Sequence, residues 1–317
     1  MKRLVSLAVS LVILLIIYSR IDIGALADVF ENSDRLWLPV SLAMAIPLTL
    51  FTSWRLQQLM PEKGEGLGFL EANRLILAAS TLNMVLPSKM GDIAKAYFMR
   101  DRGHLTGSLA LSLVVFEKAC DMLSLLFWCA FGLLVYPEKD WLFWLMAIGI
   151  VGGLFSGSLL LGSKPFARLF FRTGKAIAPK KIRSKLEKLH ISWDEMHGYF
   201  WQDKRQLLKI TTTSVFIWFL HLLQIWLFVL ALNATVPFLA NLALAPLAIL
   251  AGLLPLTFAG VGTRDAALIL FYQPYLDPAT GAALGLLCTS RYFIPAIGGL
   301  PFLGQFLATV RSSKSEL

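Results

Sequence analysis

The sequence predicts an all-α polytopic membrane protein with about six to eight membrane helices and two re-entrant hairpins arranged in inverted repeats. Three observations predict it. Of 317 residues, 57% are hydrophobic and 15% are charged, whereas soluble domains average about 45–50% apolar and about 25% charged. The mean hydropathy is +0.68, and the apolar residues gather in long blocks. Two of those blocks break at closely similar Pro/Gly motifs. A soluble enzyme is thereby excluded, as are disorder and collagen, because the 23 glycines follow no period.

A spanning helix needs about 20 mostly apolar residues, each rising ~1.5 Å through a core of ~30 Å. Six stretches meet or approach this: 4–18, 37–54, 105–136, 141–162, 210–232 and 279–310. The first follows Met1-Lys2-Arg3 and also resembles a signal peptide, with Ala25-Leu26-Ala27 fitting a cleavage site. Arg20 and Asp22 fall where the c-region would lie, which favours a retained anchor. Trp37 and Trp54 bracket the second stretch, placing an indole at each interface.

Charge location sets the topology. Between Ser163 and Lys209 stand twelve basic residues against Glu187, Asp194, Glu195 and Asp203. Lys and Arg collect in cytoplasmic loops, so 163–209 is read as cytoplasmic, with a helix on anionic headgroups. No nucleic-acid partner is expected. With Lys2-Arg3 inside, 20–35 is outside and 55–71 inside, while the basic loop places Pro137–Asp140 outside. The chain then crosses an odd number of times between 71 and 137. Since 105–136 accounts for one crossing, 72–86 must enter and return on the same side.

A break at the right place supports that return. Stretch 72–86 ends in Leu86-Pro87-Ser88-Lys89-Met90-Gly91-Asp92; proline removes a backbone donor and glycine permits an unusual turn. The first hairpin is 72–86 down and roughly 92–100 back. The pattern recurs after 240–253, as Leu254-Pro255 through Gly260-Val261-Gly262-Thr263-Arg264-Asp265-Ala266. Each hairpin precedes an apolar stretch of about 32 residues, 105–136 and 279–310. The second opens from the other side, so the units are inverted. One transmembrane domain, 1–317, is expected: repeat one about 37–162, the basic loop 163–209, and repeat two about 210–310. Paired broken segments point to a transporter's central site. The competing reading makes both motifs ordinary loops between conventional spans.

A charge at mid-bilayer costs at least ~2.5–3.5 kcal/mol on insertion scales and implies a cavity or a partner. Glu117 and Asp121, four apart on one helical face, interrupt 105–136 with Lys118 between them, and Arg291 interrupts 279–310. Lys89 and Asp92 mark the first hairpin turn, Arg264 and Asp265 the second. A headgroup phosphate is expected to meet Lys89, Arg264, Arg291 and Asn83, since guanidinium pairs bidentately with phosphate and lysine acts as a point charge. Asp92, Glu117, Asp121 and Asp265 balance these charges or carry a proton. Pro87, Gly91, Pro255, Gly260 and Gly262 shape the turns. The bland alternative is internal pairing, such as Arg291 with Asp121 or Glu117, and Asn83 satisfying freed backbone groups.

No cofactor and no metal are expected. The three cysteines lie in apolar runs without metal spacing, His104, His190 and His197 lie in loops, and HExxH, GxxxxGK[ST] and GxSxG motifs are absent. His221 and Gln224 suit hydrogen bonds between helices. Asn233-Ala234-Thr235 matches a glycosylation acceptor.

One ordered set of motifs carries a family likeness: Asn83-x-x-Leu86-Pro87-x-x-x-Gly91-Asp92, Ser108-x-Ala110, Glu117-Lys118-x-x-Asp121, then Pro255 through Ala266. Over about 1–310 the chain resembles the flippase-like transmembrane region of bacterial lysylphosphatidylglycerol synthases and its stand-alone, mostly uncharacterised relatives. The resemblance implies a multi-pass protein of the bacterial inner membrane whose fused members move an aminoacylated phospholipid between leaflets; the charge pattern, with Lys2-Arg3 and Arg311 and Lys314 inside, places the N- and C-termini in the cytoplasm. No soluble aminoacyl-transferase domain follows within the 317 residues, so lipid aminoacylation is not expected. Relatives carry Arg or Lys at the position of Lys89 and Glu at that of Asp265, which alters side-chain reach. The expected role is translocation of an anionic or modified phospholipid, or a lipid-linked molecule, without enzymatic activity. Its partners are membrane lipids and a separate lipid-modifying enzyme. The alternatives are a membrane enzyme using Glu117 or Asp121 as general base, and an accessory subunit.

Overall fold

In the computed structural model, residues 14–15, 22–60, 67–85, 90–102, 105–135, 139–254 and 262–304 are described. Among them every regular element is a helix. In chain order these are α1 (Ile23–Glu31), α2 (Trp37–Ala43), α3 (Ala45–Leu59), α4 (Phe69–Val85), α5 (Met90–Arg102), α6 (Gly107–Val135) and α7 (Trp141–Gly162). There follow α8 (Lys164–Ile177), α9 (Lys180–Phe200), α10 (Lys204–Ala231), α11 (Phe238–Gly252), α12 (Thr263–Tyr272), α13 (Pro278–Ser290) and α14 (Phe293–Gly299), then a 3₁₀ turn, Leu300–Phe302.

Five described stretches are long and apolar enough to cross a bilayer: Trp37–Leu59, Gly107–Val135, Phe143–Gly162, Lys204–Ala231 and Pro278–Phe302. They coincide with five of the six stretches read from hydropathy. The remaining one, 4–18, lies outside the described residues apart from Leu14 and Leu15. Two spans are interrupted: Met44 separates α2 from α3, and the chain turns at Arg291-Tyr292 between α13 and α14. The protein is a polytopic, all-helical membrane protein.

The chain forms two compact units, each assembled from three separate stretches. The first draws on Met1–Leu48, Leu125–Val151 and Trp218–Ile294. Its α1 starts at Asp22, whose carboxylate accepts from the Gly24 N–H at 2.8 Å, and α1 packs Ala25, Leu26 and Val29 on Ala279 and Ala282 of α13. Helix α12 packs on both α11 and α13. At the start of α13, burial would raise the Asp277 pKa, but donors from Thr280 and the Ala279 amide outweigh it and lower it. Two cross-links sit deeper: the Tyr272 hydroxyl donates to Asn241 at 2.7 Å, and Gln224 donates to the Ser41 carbonyl at 3.0 Å.

The second unit draws on Thr49–Ser124, Gly152–Ile217 and Pro295–Leu317. Leu56, Leu59, Leu75, Met99, Leu113, Phe116, Phe200 and Ile210 form its core, with Phe116 stacked on Phe200 at 4.1 Å. Helices α4 and α5 pack as a hairpin, and Thr81 of α4 donates to the Ala296 carbonyl at 2.6 Å. The packed pairs α4–α5 and α11–α12 occupy the stretches in which the two hairpins are expected. Their tips, 86–89 and 255–261, carry Pro87, Lys89, Pro255 and Gly260, which lie outside the described residues.

Candidate functional site

Ionisable side chains gather at one place in each unit. In the second unit α6 places Glu117, Lys118 and Asp121 within about one turn, because residues three and four apart share a face. Helix α5 brings Asp92 and Lys95 by the same spacing. Arg55 comes from α3, which continues past Trp54 as far as Leu59, so Arg55 lies inside the helix rather than in the loop expected from 55.

These six side chains interlock. Arg55 Nη2 lies 2.9 Å from Glu117 Oε1 and Nη1 2.5 Å from Asp121 Oδ1, and Nη1 also donates to the Ser214 hydroxyl at 3.0 Å. Lys95 Nζ lies 2.7 Å from Glu117 Oε2 and 3.3 Å from Asp92. Lys118 Nζ reaches Asp92 at 3.4 Å and Asp121 at 3.9 Å. Three cations face three carboxylates, and Arg55, Lys95 and Glu117 are almost wholly buried. The cluster is neutral as it stands. Paired buried charges satisfy one another, whereas removing one partner leaves an uncompensated charge. Glu117 therefore serves as the counter-charge of two cations at once, while Asp121 and Lys118 stand nearer the surface.

Asn83 closes the first hairpin from within. Its side-chain oxygen accepts the Gly91 N–H at 2.9 Å, joining the end of α4 to the start of α5. A Cβ on residue 91 would collide with the Ala79 carbonyl and lie 2.8 Å from Asn83 Oδ1. The close approach of the two arms requires glycine here.

The first unit holds the other cluster. Gly262 adopts φ 97, a region that side-chain-bearing residues disfavour, and its N–H donates to Asp265 at 3.0 Å at the start of α12. Asp265 also accepts from Arg264 Nη2 at 2.8 Å. That guanidinium is committed to the protein. It donates to the Gly285 carbonyl at 3.3 Å and the Thr289 hydroxyl at 2.6 Å, and approaches the Cys288 carbonyl at 3.5 Å. It thereby occupies the carbonyl end of α13, where the helix dipole favours a cation.

Arg291 differs. It is 6% exposed, and among the described residues its Nη2 meets the neighbouring Tyr292 hydroxyl alone, at 3.1 Å. Among the described residues its Nε and Nη1 have no hydrogen-bond partner. Buried polar groups are ordinarily satisfied, and a guanidinium offers five donors in a planar fork suited to phosphate or carboxylate. In this cluster the Asp265 carboxylate is taken by Arg264. Of the cations expected to meet a headgroup, Arg291 is the one with open donors, while Lys89 lies outside the described residues. Among the described residues no group of His, Cys, Asp and Glu is placed to hold a metal ion.

Arg55 and Lys95 escaped the sequence reading as site residues. Arg55 stands at the end of an apolar stretch and Lys95 among the basic residues after the first hairpin turn, positions where a lone charge carries no sign of a buried partner. The available signal was the i,i+3 spacing of Asp92 and Lys95, the counterpart of the Glu117–Asp121 spacing that was used.

Residues 3–299 match the lysylphosphatidylglycerol synthase transmembrane region family. The chain belongs to that family. A UPF0104 membrane protein of Methanocaldococcus jannaschii is 24% identical to it over 322 residues, covering 94% of this chain and 93% of the relative. Membership and relative agree with the apolar spans in giving a multi-pass membrane protein.

Proposed function

We propose that this protein is a flippase-like lipid translocator: it moves an anionic or modified phospholipid, or a lipid-linked molecule, between the leaflets of the plasma membrane, with both termini on the cytoplasmic side. The observation that carries the reading is Arg291, buried in an apolar span at a helix break with two guanidinium nitrogens open. An uncompensated cation at such depth calls for an anion, and a phosphodiester headgroup supplies one while its acyl chains stay in the bilayer. Membership of a family named for lysylphosphatidylglycerol synthases supports a lipid as the cargo.

The helix pairs α4–α5 and α11–α12 are read as re-entrant hairpins. At ~1.5 Å per residue, α5, α11 and α12 come to about 20, 22 and 15 Å, short of a ~30 Å core. Their tips carry the paired Leu-Pro and glycine motifs, the arrangement expected at a transporter's central site. Asn83 and the Gly91 N–H hold the first hairpin together, so its role is positional.

The test is lipid scrambling by purified protein in liposomes that contain fluorescent phosphatidylglycerol, with a membrane-impermeant reductant reporting the outer leaflet. Protein-containing vesicles should lose inner-leaflet signal faster than empty ones. Arg291→Ala should abolish that gain and Arg291→Lys restore part of it. No gain over empty vesicles, or full activity in Arg291→Ala, would overturn the proposal.

A further inference from the structure

The segment outside both ion clusters with the most sharply divided surface is α8, separated by the single residue Ser163 from the α7 span that ends at Gly162. Ser163 makes the turn, its hydroxyl accepting the Phe166 N–H as the helix cap. At about 100° per residue, three rows separate along these 14 residues. Ala167, Phe171 and Gly174 form the inner row; Ala167 and Phe171 join the core of the second unit. Lys164, Arg168 and Lys175 form one outer row, and Lys175 meets Glu187 of α9 at 3.1 Å. On the side opposite this basic row stand Leu169, Phe170 and Ile177, which are 59%, 50% and 80% exposed.

Three large apolar side chains on one side of a short basic helix need a nonaqueous neighbour. The chain itself says which. Gly162 is the end of a membrane span, and α10, the next one, starts at Lys204. Trp201, at the end of α9, donates its indole N–H to the Gly162 carbonyl at 3.3 Å, so the excursion through α8 and α9 returns to the point at which it left. Helix α8 is therefore held at a membrane surface, and an amphipathic helix there places its apolar side at the headgroup–acyl boundary with its charged side in water.

From this geometry we infer that α8 is an interfacial helix docked on the leaflet of its own bilayer, with Leu169, Phe170 and Ile177 immersed in lipid and Lys164 and Arg168 in water. The inference is independent of the transport reading. Docked in this way, α8 fixes the depth of the second unit's core residues Ala167 and Phe171 relative to the lipid surface.

The test uses the full-length protein in phospholipid nanodiscs. Nitroxides are placed singly through Leu169→Cys, Phe170→Cys, Ile177→Cys, Lys164→Cys and Arg168→Cys; the native Cys120, Cys129 and Cys288 are buried. Collision with oxygen, which concentrates in lipid, is compared with collision with a water-soluble nickel chelate. The oxygen-to-nickel ratio should be several-fold higher at 169, 170 and 177 than at 164 and 168. Equal ratios at all five positions would overturn the inference. So would probes at 169, 170 and 177 shielded from both reagents, the signature of a protein surface or a second copy covering the helix. Circular dichroism of each labelled protein, matched to wild type, confirms that the readout comes from folded molecules.

Discussion

Lys95 Nζ and Glu117 Oε2 lie 2.7 Å apart, joining the second arm of the first hairpin to the longest described helix. The same carboxylate meets Arg55 with its other oxygen at 2.9 Å. Glu117→Gln keeps the shape and removes the charge, leaving two buried cations short of a counter-ion. A destabilisation of about 3–5 kcal/mol is expected. Thermal unfolding in detergent should show a clearly lowered Tm, whereas exposed Glu187→Gln should shift it little.

Arg264 and Arg291 should respond in opposite ways. Arg264→Ala strips Asp265, the Gly285 carbonyl and the Thr289 hydroxyl of a shared donor, so it should lower Tm markedly. Arg291→Ala removes a guanidinium with two unpartnered nitrogens and should leave Tm unchanged or raised, while abolishing lipid scrambling. Equal losses of stability in both variants would count against Arg291 as the ligand-facing cation.

At the first hairpin, Gly91→Ala drives a methyl group into the Ala79 carbonyl and the Asn83 side chain. A cost of about 1–3 kcal/mol is expected from such overpacking. Gly149→Ala on α7, where a Cβ meets nothing within 4 Å, should instead be neutral or mildly stabilising, since alanine favours helix. Differential scanning fluorimetry on the two variants checks the contrast.

His197 supplies a pH-dependent term outside the membrane spans. Burial, reinforced by nearby Lys164 and opposed by Asp194, holds its imidazole below the ordinary histidine pKa. The folded protein therefore disfavours the charged ring. Below about pH 6.5 the unfolded chain takes up a proton before the folded one does. The contribution is fully present above that pH and declines as pH falls toward the folded pKa. His197→Phe should flatten this part of the stability curve, as read from Tm at about pH 8 and about pH 5.

The spans were legible because hydropathy over some twenty residues is a property of the chain alone; 105–136 and 141–162 reappear almost residue for residue as α6 and α7. The ends of α4 and α11 were legible for a related reason, since Pro87 and Pro255 punctuate apolar stretches. Pairing was not. Glu117 and Asp121 announced themselves by spacing on one helix, but Arg55 is 62 residues from Glu117 in sequence, and no periodicity reports such a contact. Arg264 shows the same limit from the other side. Its charge was visible at the turn, but its commitment to the carbonyl end of α13 depends on a helix packed across from it, so nothing local to the chain ranks it below Arg291.

The amide of Asn83 grips the Gly91 N–H across the bend of the first hairpin, with no room between the arms for a methyl group. Two helices stapled at their joined ends behave mechanically as one rigid finger. That pair is itself tied down on both arms, through Thr81 to the Ala296 carbonyl and through Lys95 to Glu117. The Lys95–Glu117 contact therefore fastens α4 and α5 to α6 as a unit rather than one arm at a time.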